Sequence, residues 1–86
     1  MTKLYLLIFS NTAYTREELV DFLDQDSSIQ FWFYNMPNSV FVETAMSPRQ
    51  LTDLIEDHFK SHRHFIVEIT ERRWGRLPKD HWDFFP

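Results

Sequence analysis

Two helix-start signals constrain the fold of this 86-residue chain more than any other feature of its sequence. Thr15 stands three residues before Glu18, and Ser47 stands three residues before Gln50. This is the spacing of a capping box, in which each side chain accepts a hydrogen bond from the other residue's backbone N–H in the first helical turn. The two signals therefore predict two helices, one beginning after Thr15 and one after Ser47.

Four further segments have the apolar and aromatic character of β-strands. They are residues 3–9, 29–34, 39–44 and 64–70. The resulting order is strand, helix, strand, strand, helix, strand, which is typical of a ferredoxin-like α+β sandwich. We therefore predict a four-stranded antiparallel sheet with both helices on one face. Residues 1–71 would form this domain, and residues 72–86 a C-terminal tail that packs on the sheet or on a partner subunit.

Composition excludes several other classes of protein. The chain has no cysteine, which excludes disulfides and thiolate metal sites. Its longest apolar run, Leu4 to Phe9, is far too short to span a membrane. No small-residue cleavage site follows that run, so we expect a cytoplasmic protein without a signal peptide. Nothing in the sequence calls for a cofactor.

Alternation of side chains along each strand predicts which residues face away from the helices. We took the polar residues Lys3, Gln30, Glu43 and Glu68 as markers of that open face, one in each strand. The large apolar residues predicted to share it are Tyr5, Leu7, Phe9, Trp32, Tyr34, Phe41 and Ile66. The residues predicted to pack on the helices are Leu4, Leu6, Ile8, Phe31, Phe33, Val40, Val42, Phe65, Val67 and Ile69.

An open face with five aromatic rings exceeds the roughly 300–600 Å² apolar patch that monomers usually expose. Three covers are conceivable: the chain's own apolar tail, an identical subunit, or single-stranded RNA stacked on the rings. Glu43 and Glu68 on this face disfavour RNA. We predict a homodimer through this face, with Trp74 and Trp82 of the tail helping to seal it.

Basic residues cluster late in a chain whose net charge is −4. Residues 60–79 carry six basic and two acidic side chains. Arginine can grip phosphate while tryptophan stacks on a base, so the candidate nucleic-acid contacts lie beside the tail tryptophans. They are Arg72, Arg73, Arg76 and Lys79. The alternative is that these arginines stack on tail aromatics at the edge of a dimer.

Three histidines, His58, His62 and His64, lie close together in the sequence. The first two are four residues apart, a spacing that can hold Zn²⁺ on a helix. His58 belongs to the predicted buried stripe of the second helix, however, and His62 falls near a helix end, where a cation suits the dipole. We therefore expect structural roles and no metal site.

The tail "GRLPKDHWDFF", Gly75 to Phe85, carries a family resemblance, together with "SPRQLTDLIEDHF" and "FIVEITERRWGRLPKDHW". With the order of elements, these stretches resemble the small ferredoxin-like proteins related to the second CRISPR-associated adaptation protein. The likeness is strongest to uncharacterised bacterial relatives with a GxLPKxxWxF tail. The resemblance implies a homodimer joined partly by C-terminal segments. For the CRISPR proteins it also implies a metal-dependent nuclease or a double-stranded DNA scaffold.

One position departs from that family. Its catalytic residue is an aspartate at the end of the first strand, whereas the equivalent stretch here, "FSNTAYT", has no acidic residue. Neither Ser10 nor Asn11 can supply a carboxylate to Mg²⁺. We therefore predict a non-catalytic homodimeric interaction protein, which the resemblance places as an accessory of mobile-element or defence systems. The alternative is a nucleic-acid-binding or nuclease-like protein.

Overall fold

The computed structural model describes residues 1–10, 12–60 and 63–70, together with Gly75 and Phe85. Six elements follow one another in the predicted order. They are β1 (Lys3–Phe9), α1 (Arg16–Gln25), β2 (Ile29–Phe33), β3 (Ser39–Thr44), α2 (Pro48–Phe59) and β4 (His64–Glu68). Apart from Gly75 and Phe85, the predicted tail lies outside the described residues.

The four strands form one sheet in the order β2-β3-β1-β4, and every neighbouring pair is antiparallel. Strands β1 and β3 are central, and β2 and β4 form the two edges. Each helix connects two strands that have one other strand between them in the sheet, so each helical connection passes over that intervening strand. This topology confirms the predicted ferredoxin-like α+β fold.

Both predicted helix starts are confirmed. Thr15 accepts a hydrogen bond from the Glu18 backbone N–H at 3.1 Å, and the Glu18 carboxylate accepts one from the Thr15 N–H at 3.0 Å. Ser47 and Gln50 make the same reciprocal pair at 3.1 and 2.8 Å. These bonds satisfy backbone donors that the first turn of a helix would otherwise leave unpaired.

The main core lies between the sheet and the two helices. Its helical side consists of Leu19 and Leu23 from α1 and of Leu51 and Ile55 from α2, all fully buried. The strand residues that pack against them are Tyr5, Leu7, Phe9, Val40 and Val42, with Ile29, Trp32 and Ile66 at the periphery. The prediction of which residues face the helices is therefore wrong for β1, β2 and β4.

Strand β3 is the exception, because Val40 and Val42 do pack on the helices as predicted. The pairing register explains the error elsewhere: Val42 stands opposite both Tyr5 and Trp32, and the members of such a pair share one face. Phe41, correctly predicted to face away, stands opposite Leu6 and Phe33. Those two residues had been expected in the core between sheet and helices.

Three of the four polar residues used as markers of the open face, Lys3, Gln30 and Glu68, indicated the wrong face, for two physical reasons. Lys3 and Glu68 lie at strand ends, where they remain exposed and form an ion pair at 3.6 Å, although they share the parity of helix-facing residues. Gln30 lies at a register shift between Ile29 and Phe31. An extra residue at a β-bulge breaks the alternation of faces, so Gln30 indicates nothing about its neighbours.

Candidate functional site: the helix-free face of the sheet

The face of the sheet that carries no helix is the candidate functional surface, and we call it the helix-free face. Register and alternation place on it one set of residues from all four strands. They are Leu4, Leu6, Ile8, Phe31, Phe33, Ser39, Phe41, Glu43, Phe65 and Val67. This face is almost entirely apolar, even though the helices leave it uncovered.

Phe85 covers one part of this face within the same chain. The Phe33 and Phe41 rings stack with their centroids 4.7 Å apart. Phe85 meets both rings edge to face, with centroid distances of 5.2 Å to Phe41 and 6.0 Å to Phe33. Leu4, Phe33 and Phe41 are buried in this second cluster, which Ile69 also contacts. A residue near the end of the chain therefore lies on the sheet.

Another part of the face is exposed. Ile8 and Phe65 stand opposite each other in β1 and β4, and their exposed fractions are 43% and 63%. Met36, in the turn between β2 and β3, is 48% exposed. We call these three residues the apolar strip. Large apolar side chains grouped in this way usually mark an interaction surface.

An open pocket of about 340 Å³ adjoins the apolar strip, and two residues of the strip, Ile8 and Met36, line it. Its lining consists of Leu6, Ile8, Met36, Pro37, Asn38, Ser39 and Phe41. The lining comes from β1, β3 and the turn between β2 and β3, so the sheet register and the position of this turn together set its shape. Among the described residues that line it, Asn38 and Ser39 alone have polar side chains.

Contacts from α1 and β1 hold the turn that carries Met36. The Arg16 guanidinium donates a hydrogen bond to the Met36 carbonyl at 3.3 Å and lies 3.9 Å from the centre of the Tyr34 ring. The Phe9 backbone N–H donates to the Asn38 carbonyl at 3.1 Å. These bonds tie the rim of the pocket to the folded core, so the pocket exists before any partner binds.

Charge lies away from the pocket on this face. Glu43 stands opposite Leu4, at the other end of β1 from Ile8, and its carboxylate accepts a hydrogen bond from the Thr2 hydroxyl at 2.7 Å. Four residues of extended strand separate Leu4 from Ile8, or roughly 13 Å. The apolar strip can therefore be covered without removing this carboxylate from water.

Tyr14 is the most perturbed titratable group among the described residues. Its ring is sandwiched between Phe9 and Phe59, with centroid distances of 5.3 and 4.2 Å. Its hydroxyl is buried and meets no hydrogen-bond partner in the described part of the chain. Burial raises the pKa of Tyr14 to about 12, so the phenol stays neutral and acts as a core residue.

The structure brings together few of the residues predicted for the dimer interface. Tyr5, Leu7 and Phe9 are buried under the helices, and Trp32 and Ile66 pack on the same side. Tyr34 stacks on Trp32 with ring centroids 6.1 Å apart, also on that side. Of the predicted strand residues, Phe41 alone lies on the helix-free face. Trp74 and Trp82 lie outside the described residues.

The assignment of strand faces from the sequence did not place the apolar strip on the open face. Ile8 and Phe65 had been assigned to the core because their strands were read in the opposite phase, and Met36 had been read only as part of a turn. The sequence signal that did indicate the correct face was the pair Phe41 and Glu43, two residues apart in β3, because β3 is the one strand whose polar marker is not misleading. The candidate nucleic-acid contacts, Arg72, Arg73, Arg76 and Lys79, all lie outside the described residues.

The histidines are placed only in part. His58 is exposed and not on a buried stripe, and its ring stacks on Phe22 with centroids 4.0 Å apart. His64 lies in β4, and His62 is outside the described residues. Within residues 1–10, 12–60 and 63–70, no three histidine or acidic side chains are grouped closely enough to hold a metal ion.

Comparisons of the chain with family models, with curated proteins and with solved structures find no match. The resemblance to CRISPR-associated adaptation proteins therefore stays a prediction. Neither helix of the described chain is long and apolar enough to cross a membrane.

Proposed function

We propose that this protein is a non-catalytic interaction protein that forms a homodimer through the helix-free face. The observation that carries the proposal is the apolar strip: Ile8, Met36 and Phe65 are each about half exposed, Ile8 and Met36 line an open apolar pocket, and Phe65 stands opposite Ile8. The interface differs from the one expected from the sequence, because Tyr5, Leu7 and Phe9 are already buried beneath the helices.

The energy available from the strip indicates a weak dimer. Full burial of a large apolar side chain is worth about 1.5–3 kcal/mol, so each half-exposed residue can contribute about 1 kcal/mol. Three residues from each of two subunits supply roughly 6 kcal/mol, against an association cost of about 4–15 kcal/mol. The pocket and neighbouring apolar residues must contribute the remainder. We therefore expect a weak dimer whose population rises with protein concentration up to the millimolar range.

The charge pattern supports a protein partner over nucleic acid at this face. Backbone phosphates require a positive field, and Glu43 is the charged residue that the strands place here. The apolar strip itself offers no cation to a phosphate. RNA stacked on the exposed rings is therefore the outcome to test if dimerisation fails.

The test is the molar mass of the native chain at several concentrations, measured by light scattering after size exclusion. We expect about twice the 10.5 kDa chain mass at high concentration. Phe65→Glu should give a single chain mass, because a carboxylate in a dry interface is costly. Ser27→Glu is the matched control, since it adds the same charge at an exposed turn residue far from β4 in sequence.

A wild type that stays monomeric at millimolar concentration would refute the proposal. A dimer that Phe65→Glu leaves intact would move the interface away from the strip. If the wild type is monomeric, titration with single-stranded RNA at two salt concentrations follows, because true phosphate contacts weaken steeply with salt.

A further inference from the structure

We infer that the Phe65 side chain of each subunit occupies the apolar pocket of the other subunit, so that two identical contacts close the dimer. The inference rests on the proposed function, since it names the contact by which the second copy binds.

The pocket suits one side chain better than a small metabolite. Ligand sites usually bury about 70–90% or more of the surface of a drug-sized ligand. This pocket is open, holds about 340 Å³, and combines Leu6, Ile8, Met36 and Phe41 with few polar atoms. An apolar side chain of a partner could contact the base and walls of this pocket while the partner's backbone remained outside it. Met36 at the rim can adjust to an aromatic ring, because its unbranched thioether is flexible and polarisable.

Phe65 is the side chain that fits this role. With 63% of its surface exposed, it is the most exposed aromatic residue among those described, and it lies on an edge strand. Its exposure shows that it does not fill the pocket of its own chain. An aromatic residue inserted into a partner's preformed pocket is the usual form of an energetic hot spot.

The arrangement of plug and pocket favours a closed pair of subunits. Phe65 stands directly opposite Ile8, which lines the pocket, so the two features are neighbours on one face. Adjacent strands lie about 4.8 Å apart, which places Phe65 within roughly two strand spacings of the pocket. Because plug and pocket lie on the same face, a two-fold axis through that face can place each plug in the partner's pocket, and such a reciprocal contact closes the pair.

The experiment is an isotope-filtered NOE measurement on the native protein. One batch is perdeuterated except for ¹³C-labelled, protonated methionine methyl groups, and the other is unlabelled; equal amounts are mixed and allowed to exchange subunits, so that only rings of the partner chain can give an NOE. The chain has three methionines, so Met36→Leu identifies the Met36 methyl signal by its loss. We expect an intermolecular NOE between the Met36 methyl group and phenylalanine ring protons. Phe65→Leu should remove this NOE and weaken the dimer about tenfold.

The outcomes separate this inference from the proposed function. A dimer by light scattering without the Met36-to-ring NOE would overturn the plug-and-pocket contact and leave dimerisation standing. An NOE that persists in Phe65→Leu would overturn it too, because another ring would then occupy the pocket. A strictly monomeric wild type would refute both.

Discussion

Replacing Phe85 with alanine tests how strongly the end of the chain is held on the sheet. The Phe85 ring makes edge-to-face contacts with Phe41 and Phe33, and it packs on the cluster that also contains Leu4. Each such aromatic pair contributes about 0.5–1.5 kcal/mol beyond burial, and partial burial of the ring adds about 1–2 kcal/mol. We therefore expect Phe85→Ala to lower the free energy of unfolding by about 2–5 kcal/mol.

This loss is large for a domain of this size. Small domains have a total stability of about 5–15 kcal/mol, and 1 kcal/mol shifts the melting temperature by roughly 4–8 °C. The assay is urea denaturation followed by circular dichroism, at a protein concentration low enough to keep the chain monomeric. Phe85→Leu is the control, because it keeps most of the apolar burial and loses only the two aromatic pairs, so it should cost about 1–3 kcal/mol and less than Phe85→Ala.

A loss below 0.5 kcal/mol for Phe85→Ala would refute this reasoning. Phe33 and Phe41 would then be stable without the ring above them, and the residues buried beneath Phe85 would have to be protected in another way. A loss that appears only at high protein concentration would show that Phe85 acts across two subunits. That result would bear directly on the prediction that the tail packs either on its own sheet or on a partner.

Three further substitutions test the core and the helix start. Tyr14→Phe removes a buried hydroxyl and should leave stability at pH 7 equal or higher. Burial raises the pKa of Tyr14 from its ordinary value of 10.0 to about 12. Ionisation of this phenol therefore does not affect the free energy of unfolding below pH 10, and it lowers that free energy as pH rises from 10 to 12. Wild type should therefore lose about 1.4 kcal/mol per pH unit relative to Tyr14→Phe in that window, measured by urea denaturation. Thr15→Ala should cost about 1 kcal/mol by the same assay, because the Glu18 N–H loses its acceptor, and no change would refute the cap. Trp32→Ala should lower the free energy of unfolding by about 3 kcal/mol, measured by thermal melts, because Trp32 packs on the helices and its indole N–H donates to Asp24 at 3.2 Å. We expect no change in oligomeric state. If the substitution instead dissociates a dimer, Trp32 belongs to the interface after all.

The elements of the fold could be predicted from the sequence because their signals are local. A capping box spans only four residues, so Thr15 with Glu18 and Ser47 with Gln50 indicate their helices without any information from the rest of the chain. The spacing of apolar residues likewise identifies strands and helices one segment at a time. The order of six such segments then leaves few topologies for a short chain, and the ferredoxin-like sheet is one of them.

The candidate site could not be predicted in the same way. Which parity of a strand faces the helices depends on pairing register, on where each helix lies, and on bulges such as the one at Gln30. A shift of one residue reverses every side chain of a strand, so one misleading marker exchanges core and surface. Ile8 and Phe65 were assigned to the core for this reason, although they are the exposed pair beside the pocket.

Local signals specify the number, type and order of the elements, because the hydrogen bonds and apolar spacing that define them lie within a few residues. Three features depend instead on the folded domain: which face of the sheet the helices cover, the packing of Phe85 on Phe33 and Phe41, and the pocket that Met36 forms with Leu6 and Ile8. These features join residues far apart in the chain. They are fixed by the register of the sheet and the packing of the whole domain, which no short segment contains.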